Sequence, residues 1–471
     1  MAHVPMADEI STDAIPEDND SAGLLTADTS VDLKKDPPCT VCFMVLLSLP
    51  RTAIAAAWAA QWAAFGPLLE ILLSSSAVQL VQLVGPLSGL LVAPAVGVLS
   101  DNCQSPYGRR RPFLAAGAAL SMLSWLLLMH ASDLGAMLGD SATSRGYTAA
   151  ITVFSYVWMD ITVNVAQVPV GLLLADFAGN RQVTGATVGG LCTAAGYVTV
   201  AAYIAVRGPA HNTLPAFLTM LMILMAATVS AVCCCVPERR FEATTRAAML
   251  QAFSAVYTGV RDLPRQLAIY FGILALTQYG YTSYNGTKGQ FFGLVVKHGV
   301  ADGADTCGAN CSTRQTAFND GVQLAGATDG LFVLGLGVLA LLPRLVGRWG
   351  MKTVVVLALV PQTFLVLLAL HHDNIPLDLV IIAGVGVTQC TVFALSMPIL
   401  VHVLGEAAPL GASAGAFNSA LCLGQLANFV VASVLVRSPM GHAAPVLVGG
   451  MASVAALLLA ARKLDVKIHS M

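Results

Sequence analysis

From about residue 41 the chain alternates between long apolar runs and short polar breaks. Many of the runs reach the roughly 20 residues that a helix needs to cross a bilayer. They predict twelve spans, at about 42–72, 77–99, 112–132, 147–174, 183–206, 214–236, 267–294, 316–342, 353–371, 378–402, 413–436 and 444–461. The apolar runs are continuous rather than short and alternating, which argues against a transmembrane β-barrel. The first run is long for one span, and Pro50-Arg51 reads as a break or a juxtamembrane lead-in.

Composition agrees with this pattern. The chain is 56% hydrophobic and 11% charged, with a mean hydropathy of +0.74. A soluble chain carries about 25% charge. The first 37 residues differ: nine acidic residues stand against two lysines, with little apolar clustering. This predicts an acidic disordered tail over 1–40. No basic segment followed by an apolar core marks a cleavable signal, so insertion is expected to rely on the first membrane helix. Cys192, Cys390 and Cys422 lie in apolar runs and read as small apolar residues, as do Cys233 and Cys235, for which palmitoylation is the other reading. Cys39-Thr-Val-Cys42 has no partner ligands nearby, so no metal or redox site is read there.

Charge sets the expected orientation. With the N-terminus in the cytoplasm, the inner loops hold twelve Lys/Arg and the outer loops five, as the positive-inside rule favours. Both termini are then cytoplasmic. The inner loop 237–266 divides the spans into six and six, giving bundles at 41–236 and 267–461 and a short tail at 462–471. Each bundle carries a basic loop after its second span, Gly97–Arg111 and Pro343–Lys352. Such a repeat is the architecture of many secondary transporters. The outer loop 295–315 contains the sequon Asn310-Cys311-Ser312 beside Cys307. A glycan, a small disulfide and an unmodified loop all remain open there.

Residues 97–113 read G-V-L-S-D-N-C-Q-S-P-Y-G-R-R-R-P-F. Three arginines hold the loop at the cytoplasmic face by charge alone. The same residues can also gate: Asp101 closes one helix, and Gly108, Arg109, Arg110 and Arg111 open the next. They can pair across the cytoplasmic face, or meet helix ends and charges of the other half.

The loop resembles that between helices 2 and 3 of the major facilitator superfamily. With its insertion Asn102–Tyr107 and its trailing Pro-Phe, it is similar to the sucrose:proton symporters of the glycoside–pentoside–hexuronide:cation symporter family. Asn102 stands where that family has Arg. Trp58-Ala-Ala-Gln61 with Pro67 resembles the family's first helix. Met159-Asp160-Ile-Thr-Val-Asn164-Val-Ala-Gln167 with Leu174-Ala-Asp176 resembles its fourth. Phe318–Val322 resembles the start of helix 8, and Gly415–Asn418 resembles helix 11. The likeness covers nearly everything after residue 45. It implies an all-α membrane protein of twelve helices in two pseudo-symmetric six-helix bundles, and a proton-coupled sugar symporter.

Asp160 is the sharpest candidate. An ionised Asp at the bilayer centre costs roughly 2.5–3.5 kcal/mol on insertion scales, and such residues mark ion or proton paths. Asn164 and Gln167 follow at i+4 and i+7 on the same helix face, offering donors and acceptors at sugar-hydroxyl spacing. A purely structural hydrogen-bonding stripe is the other reading. The resemblance implies that Asp160 carries the proton and contacts the sugar. Trp58 and Trp62, one turn apart beside Gln61, offer apolar faces for sugar C–H groups, with Trp158 adding a third indole. Lipid-facing aromatics are the alternative. From the second half, Tyr279, Tyr281, Tyr284 and Asn418 are candidates, with Tyr281 and Asn418 assigned to the substrate.

The resemblance breaks near the end of span seven. Where the family has an acidic, aromatic segment, this chain has Tyr284-Asn285-Gly-Thr287-Lys288. The family's Arg in helix 8 is Gln323 here, and Asp329 follows. Asp329 either couples to a proton or pairs with Lys288. Gly185, Gly189 and Gly196 suggest close helix packing. No H-E-x-x-H motif argues for a membrane enzyme. The expected partners are a small sugar, a proton and the bilayer, with no cofactor, metal or nucleic acid, in a monomer of the plasma membrane. A monosaccharide or polyol carrier, or a transport-deficient sensor, are the alternatives.

Overall fold

The computed structural model describes residues 40–466 except 142–143, 179–180, 239–253, 255–256, 259 and 405–409. The predicted acidic tail and most of the central loop lie outside the described residues. Thr40–Met471 form one compact unit.

Its helices are α1 (Val41–Leu72), α2 (Ser75–Asp101), α3 (Arg111–Met129), α4 (Gly146–Ala178), α5 (Gln182–Arg207), α6 (Leu214–Cys235), α7 (Arg265–Asn285), α8 (Thr313–Ala327, continued as Val333–Trp349), α9 (Met351–Leu370), α10 (Ile375–Leu404), α11 (Leu410–Leu435) and α12 (Ala443–Lys463). Ten helices among the described residues are long and apolar enough to cross a membrane, eleven with α8 taken as one span bent by 44°. The expected seventh span, α7, has the length but falls short in apolarity. Its final turns, Thr277–Asn285, are almost wholly polar or tyrosine.

Packing repeats between the first six helices and the last six. α1 packs on α5 and α6, α3 on α4 and α6, and α2 on α4; α7 packs on α11 and α12, α9 on α10 and α12, and α8 on α10. Glycine sets the closest approach at matching places. A Cβ at Gly196 of α5 would lie 2.2 Å from the Thr52 carbonyl of α1, and one at Gly424 of α11 would lie 2.3 Å from the Ala275 carbonyl of α7. Only a hydrogen fits at either site. Gly185 makes ordinary contacts instead. The halves meet symmetrically too, α2 against α11 and α5 against α8.

The first helix of each half is irregular at its far end. α1 carries a π-helical turn at Gln61–Phe65. α7 breaks at Gly286, restarts at Lys288 and ends in a π-helical turn, Phe291–Val296. Such turns leave carbonyls without their usual helical partners and cluster at functional sites. Here each irregular stretch is bridged from the opposite half. Gln290 donates its amide to the Gly66 carbonyl at 3.1 Å, and Gln82 donates to the Gly286 carbonyl at 3.1 Å.

Pro50 does not break α1. The helix runs through it, and Arg51 lies inside the span, correcting the expectation of a lead-in. The ring takes a place where proline is tolerated only if the freed carbonyl is otherwise satisfied.

Candidate functional site

A cavity of about 1830 Å³ lies between the two groups of helices. Trp58, Gln61 and Trp62 of α1 line it with Asn164 and Gln167 of α4; Gln278, Tyr281 and Asn285 of α7 face them with Asp329 of α8 and Asn418 of α11. Every substrate residue expected from the sequence is therefore on its wall, except Asp160.

Asp160 sits immediately behind that wall with 0% of its surface exposed. Gln61 donates its amide to the Tyr156 hydroxyl at 2.6 Å and to Asp160 Oδ2 at 3.3 Å. The other carboxyl oxygen, Oδ1, has no hydrogen-bond partner, and a Cβ at Gly85 would lie 3.5 Å from it. No Lys, Arg or His pairs with Asp160 among the described residues. Asn164 closes the helix face, donating to Ser88 Oγ and to the Asp160 carbonyl, both at 2.9 Å.

The tryptophans are held as cavity walls, not as lipid anchors. Trp58 donates its indole N–H to Gln167 Oε1. Trp62 stacks on Phe429 of α11, with ring centroids 6.0 Å apart. Trp158 takes a different role, donating to the Leu120 carbonyl of α3 at 3.1 Å. Of the three α7 tyrosines, Tyr281 faces the cavity while Tyr284 is buried against Thr328 at 3.3 Å.

Asp329 has the opposite surroundings from Asp160. The Lys288 ammonium donates to its Oδ1 and to Asn285 Oδ1, the latter at 3.0 Å. Both members of the pair are enclosed, Lys288 at 1% and Asp329 at 2% exposure. Of the two readings left by the sequence, the geometry has the ion pair. Asn285 and Thr287 are buried, which removes the sequon spelled there from any exposed surface. Asn310 is exposed, and Cys307 and Cys311 form a disulfide on either side of it.

The loop 101–111 and the ends of its neighbouring helices form a clamp. Arg109 pairs with Asp176 at 2.8 Å; Arg110 bonds Ser100 Oγ, Asp101 and Asp176. Glu238 accepts the backbone N–H of Arg110 at 2.8 Å and of Arg111 at 3.1 Å. A carboxylate is stabilised at that place because the first N–H groups of α3 lack helical partners. Arg111 donates to the Cys233 carbonyl at the end of α6 at 2.8 Å. Gly108 adopts φ +97°, and a Cβ there would lie 2.3 Å from Glu238. Asp101 pairs with an arginine of the loop as expected, and the other partners among the described residues lie on α2, α4, α6 and at Glu238 just after α6.

The opposite end is where the halves are joined. Arg145 pairs with Asp305 at 2.8 Å, His211 meets Asn319 at 2.7 Å and His442 lies 3.5 Å from Glu70. Ser76 donates to the Ser433 carbonyl at 2.6 Å and receives Arg437 at 2.9 Å. Gln323 donates to the Ala205 carbonyl at 3.1 Å. Away from this end, the cavity continues past Arg51 and Pro343 to His402, in the last turn of α10.

Sequence reasoning missed several of these residues. Arg51 stands at i−7 from Trp58, on the same stripe of α1, and that spacing was a usable signal. Tyr156, four residues before Asp160, was another. Cys390 and Cys422 line the cavity rather than only filling the core. The partnership of Gln82 with Gly286 had no local signal. Gly411–Gly415 spells G-x-S-x-G but lies within α11, not on the strand-to-helix turn that exposes a serine nucleophile.

Comparison with known proteins agrees with this architecture. The family model described as MFS/sugar transport protein matches residues 69–299. A sucrose transport protein of Oryza sativa subsp. japonica, SUT4, is 35% identical over 147 residues, 30% of this chain and 25% of that protein. Sucrose transport proteins SUC3 and SUC4 of Arabidopsis thaliana are 32% and 37% identical over 31% of this chain, and over 26% and 29% of their own lengths. The match thus spans little more than a quarter of these relatives. Among solved structures, a point mutant of the nucleoside transporter NupG has a TM-score of 0.62 at 12% identity, covering 90% of this chain and 99% of that one. The xylose transporter XylE from E. coli, partially occluded and inward open, has a TM-score of 0.57 at 14% identity, covering 90% and 98%. The fold is that of major facilitator transporters, in an integral multi-pass membrane protein.

Proposed function

We propose that this sucrose-transporter-like chain with the major facilitator fold carries a sugar together with a proton by alternating access. The observation that carries the reading is the position of Asp160. It is fully enclosed, has no cationic partner among the described residues, and is joined to the cavity wall through Gln61. A carboxylate so placed is costly while ionised, and a proton removes that cost. Tryptophan faces and the amides of Gln61, Asn164 and Gln167 then offer apolar and polar contacts for a sugar, with Tyr281 and Asn418 opposite.

In this reading the N-terminus and the 101–111 clamp are cytoplasmic, and the cavity faces inward. The joined end, with Gln82, Gln290 and the Arg145–Asp305 pair, is the closed outer gate. Binding of sugar to the protonated form permits the halves, 41–236 and 267–461, to rock. Proton loss to the cytoplasm favours sugar release. One charge crossing 100 mV is worth about 2.3 kcal/mol. At about 1.4 kcal/mol per decade, that sustains roughly a 50-fold sugar gradient. The resemblance supports a sucrose-like disaccharide or glucoside, a monomer and the plasma membrane. Uptake of labelled sucrose, maltose and glucose into proteoliposomes, with and without an imposed pH gradient, tests the reading. A gradient that leaves uptake of all three unchanged contradicts it.

A further inference from the structure

The outward side of α6 carries a thiol that the mechanism above does not use. Ala216, Thr219, Ile223, Ala227, Ser230 and Cys234 are exposed, at steps of three and four residues. That spacing sets them in one stripe along the helix. The opposite side, with Leu221, Met225, Thr228 and Val232, is buried. Cys234 is the last residue of the stripe. The thiols on either side of it are placed differently. Cys233 is half-buried, and its carbonyl accepts Arg111 at 2.8 Å. Cys235 is exposed but stands off the stripe, one turn after half-buried Ala231 and buried Val232.

The depth of Cys234 suits a membrane interface. α6 ends at Cys235, Pro237 follows, and Glu238 caps the start of α3. The thiol therefore stands at the level of the arginine clamp, where the apolar run meets charge. Exposed cysteines at such a place are the ones that take a fatty acyl chain. A separate observation gives the chain a seat. An apolar groove of about 570 Å³ runs between α5 and α6, lined by Thr199 of the first and Thr219, Met220, Ile223, Leu224 and Ala227 of the second. Both threonine hydroxyls donate to carbonyls of their own helices, Ala195 and Pro215, at 2.7 Å, so neither is spent on the groove. A lipid chain spans half of a hydrocarbon core roughly 30 Å thick, about 15 Å. That is about ten residues of helix. Counted back from Cys234, it ends at Leu224, inside the groove.

We infer that Cys234 is a site of S-acylation by a long-chain fatty acid, whose tail lies along the exposed stripe of α6 and ends in the groove against α5. The donor is a long-chain acyl-coenzyme A. The Cys234 sulfur attacks its thioester carbonyl, a new S–C bond replaces the old one, and coenzyme A leaves as the thiol with the proton. One thioester is exchanged for another, and nothing is oxidised or reduced. This rests on the reading that the clamp end is cytoplasmic, because acyl-coenzyme A is supplied on that side.

The test is acyl exchange on the full chain made in a eukaryotic host. Free thiols are blocked with N-ethylmaleimide, thioesters are cleaved with neutral hydroxylamine, and the thiols so released are tagged with maleimide-polyethylene glycol. The native chain is expected to gain one tag that depends on hydroxylamine. Cys234→Ser and Cys234→Ala are expected to lose it while eluting from a sizing column as the native chain does, and Cys42→Ser and Cys235→Ser to keep it. No tag on the native chain overturns the inference, and a tag that survives in both Cys234 variants overturns the choice of residue. The topology is read separately, with a membrane-impermeant maleimide on intact cells. Labelling that disappears in Cys234→Ser puts that end outside, and then the inference and the orientation fall together; a missing tag without such labelling sinks the inference alone. Palmitate carrying a terminal alkyne and a mid-chain diazirine tests the seat. Its photo-crosslinks are expected on residues 219–227 of α6 and near Thr199 of α5, and crosslinks only to other helices overturn the groove as the seat.

Discussion

Two carboxylates are buried beside the same cavity, and they are neutralised differently. Asp329, on α8, has the Lys288 ammonium against it and Asn285 completing the group. Asp160, on α4, has one amide, from Gln61, and an oxygen with no partner. The first has its charge balanced by a cation of the protein, although its Oδ2 is likewise without a hydrogen-bond partner. The second is incomplete unless a proton or another cation joins it. The halves repeat each other in helix packing, yet the groups that set charge do not follow the repeat. Fold symmetry and proton chemistry are therefore separable in this molecule.

The sharpest way to break the comparison is to remove one partner on each side. Lys288→Met leaves Asp329 buried and unpaired, and loss of one member of a buried pair costs about 3–5 kcal/mol. The unfolding midpoint in detergent should drop steeply and recover in the double variant Lys288→Met, Asp329→Asn. Asp160→Asn removes no ion pair, so its midpoint should stay close to that of the native protein. Equal losses at the two sites would erase the distinction.

Packing gives the next largest effect and tests the symmetric side of the comparison. Gly196→Leu and Gly424→Leu both force a side chain against a carbonyl of the neighbouring helix. Overpacking of this kind costs about 1–3 kcal/mol or more. Matched losses in the two variants, measured by the same unfolding assay, would show that the two helix pairs are equivalent in energy as well as in place.

A smaller effect belongs to Gln61. Gln61→Leu strips a donor from both Tyr156 and Asp160, and a buried group left unsatisfied costs about 1–3 kcal/mol. The smallest belongs to the bridged end. Gln82→Leu removes one hydrogen bond, about 0.5–1.5 kcal/mol, from the contact with Gly286. Hydrogen exchange at the amides of 286–290 should quicken by roughly two- to tenfold as that end opens more often.

Ten of the twelve expected spans, eleven with α8 taken as one bent span, and most of the cavity wall were legible in the sequence. Apolar runs report membrane spans directly, and i, i+4, i+7 spacing places Asp160, Asn164 and Gln167 on one face of α4. Three kinds of residue escaped. Arg51 was hidden by Pro50, whose usual meaning is a helix break, although a membrane helix can pass through a proline when the freed carbonyl finds another partner. α7 was readable as a span but not as an irregular one, because its polar last turns serve the cavity rather than the lipid. Glu238 and Gln82 act only on backbone groups far away in sequence, Arg110 and Gly286, and no local pattern reports such a contact. The loop at 101–111 predicted its ion pairs but not their partners, since pairing between helix ends depends on how α2, α3, α4 and α6 converge.

The central claim is that Asp160 carries the coupled proton. Its most direct test is accumulation of labelled sugar in proteoliposomes by Asp160→Asn under an imposed inward proton gradient, beside sugar exchange at equilibrium in the same vesicles. The account predicts that exchange persists while accumulation above the external concentration is lost. Accumulation as high as that of the native protein would contradict it.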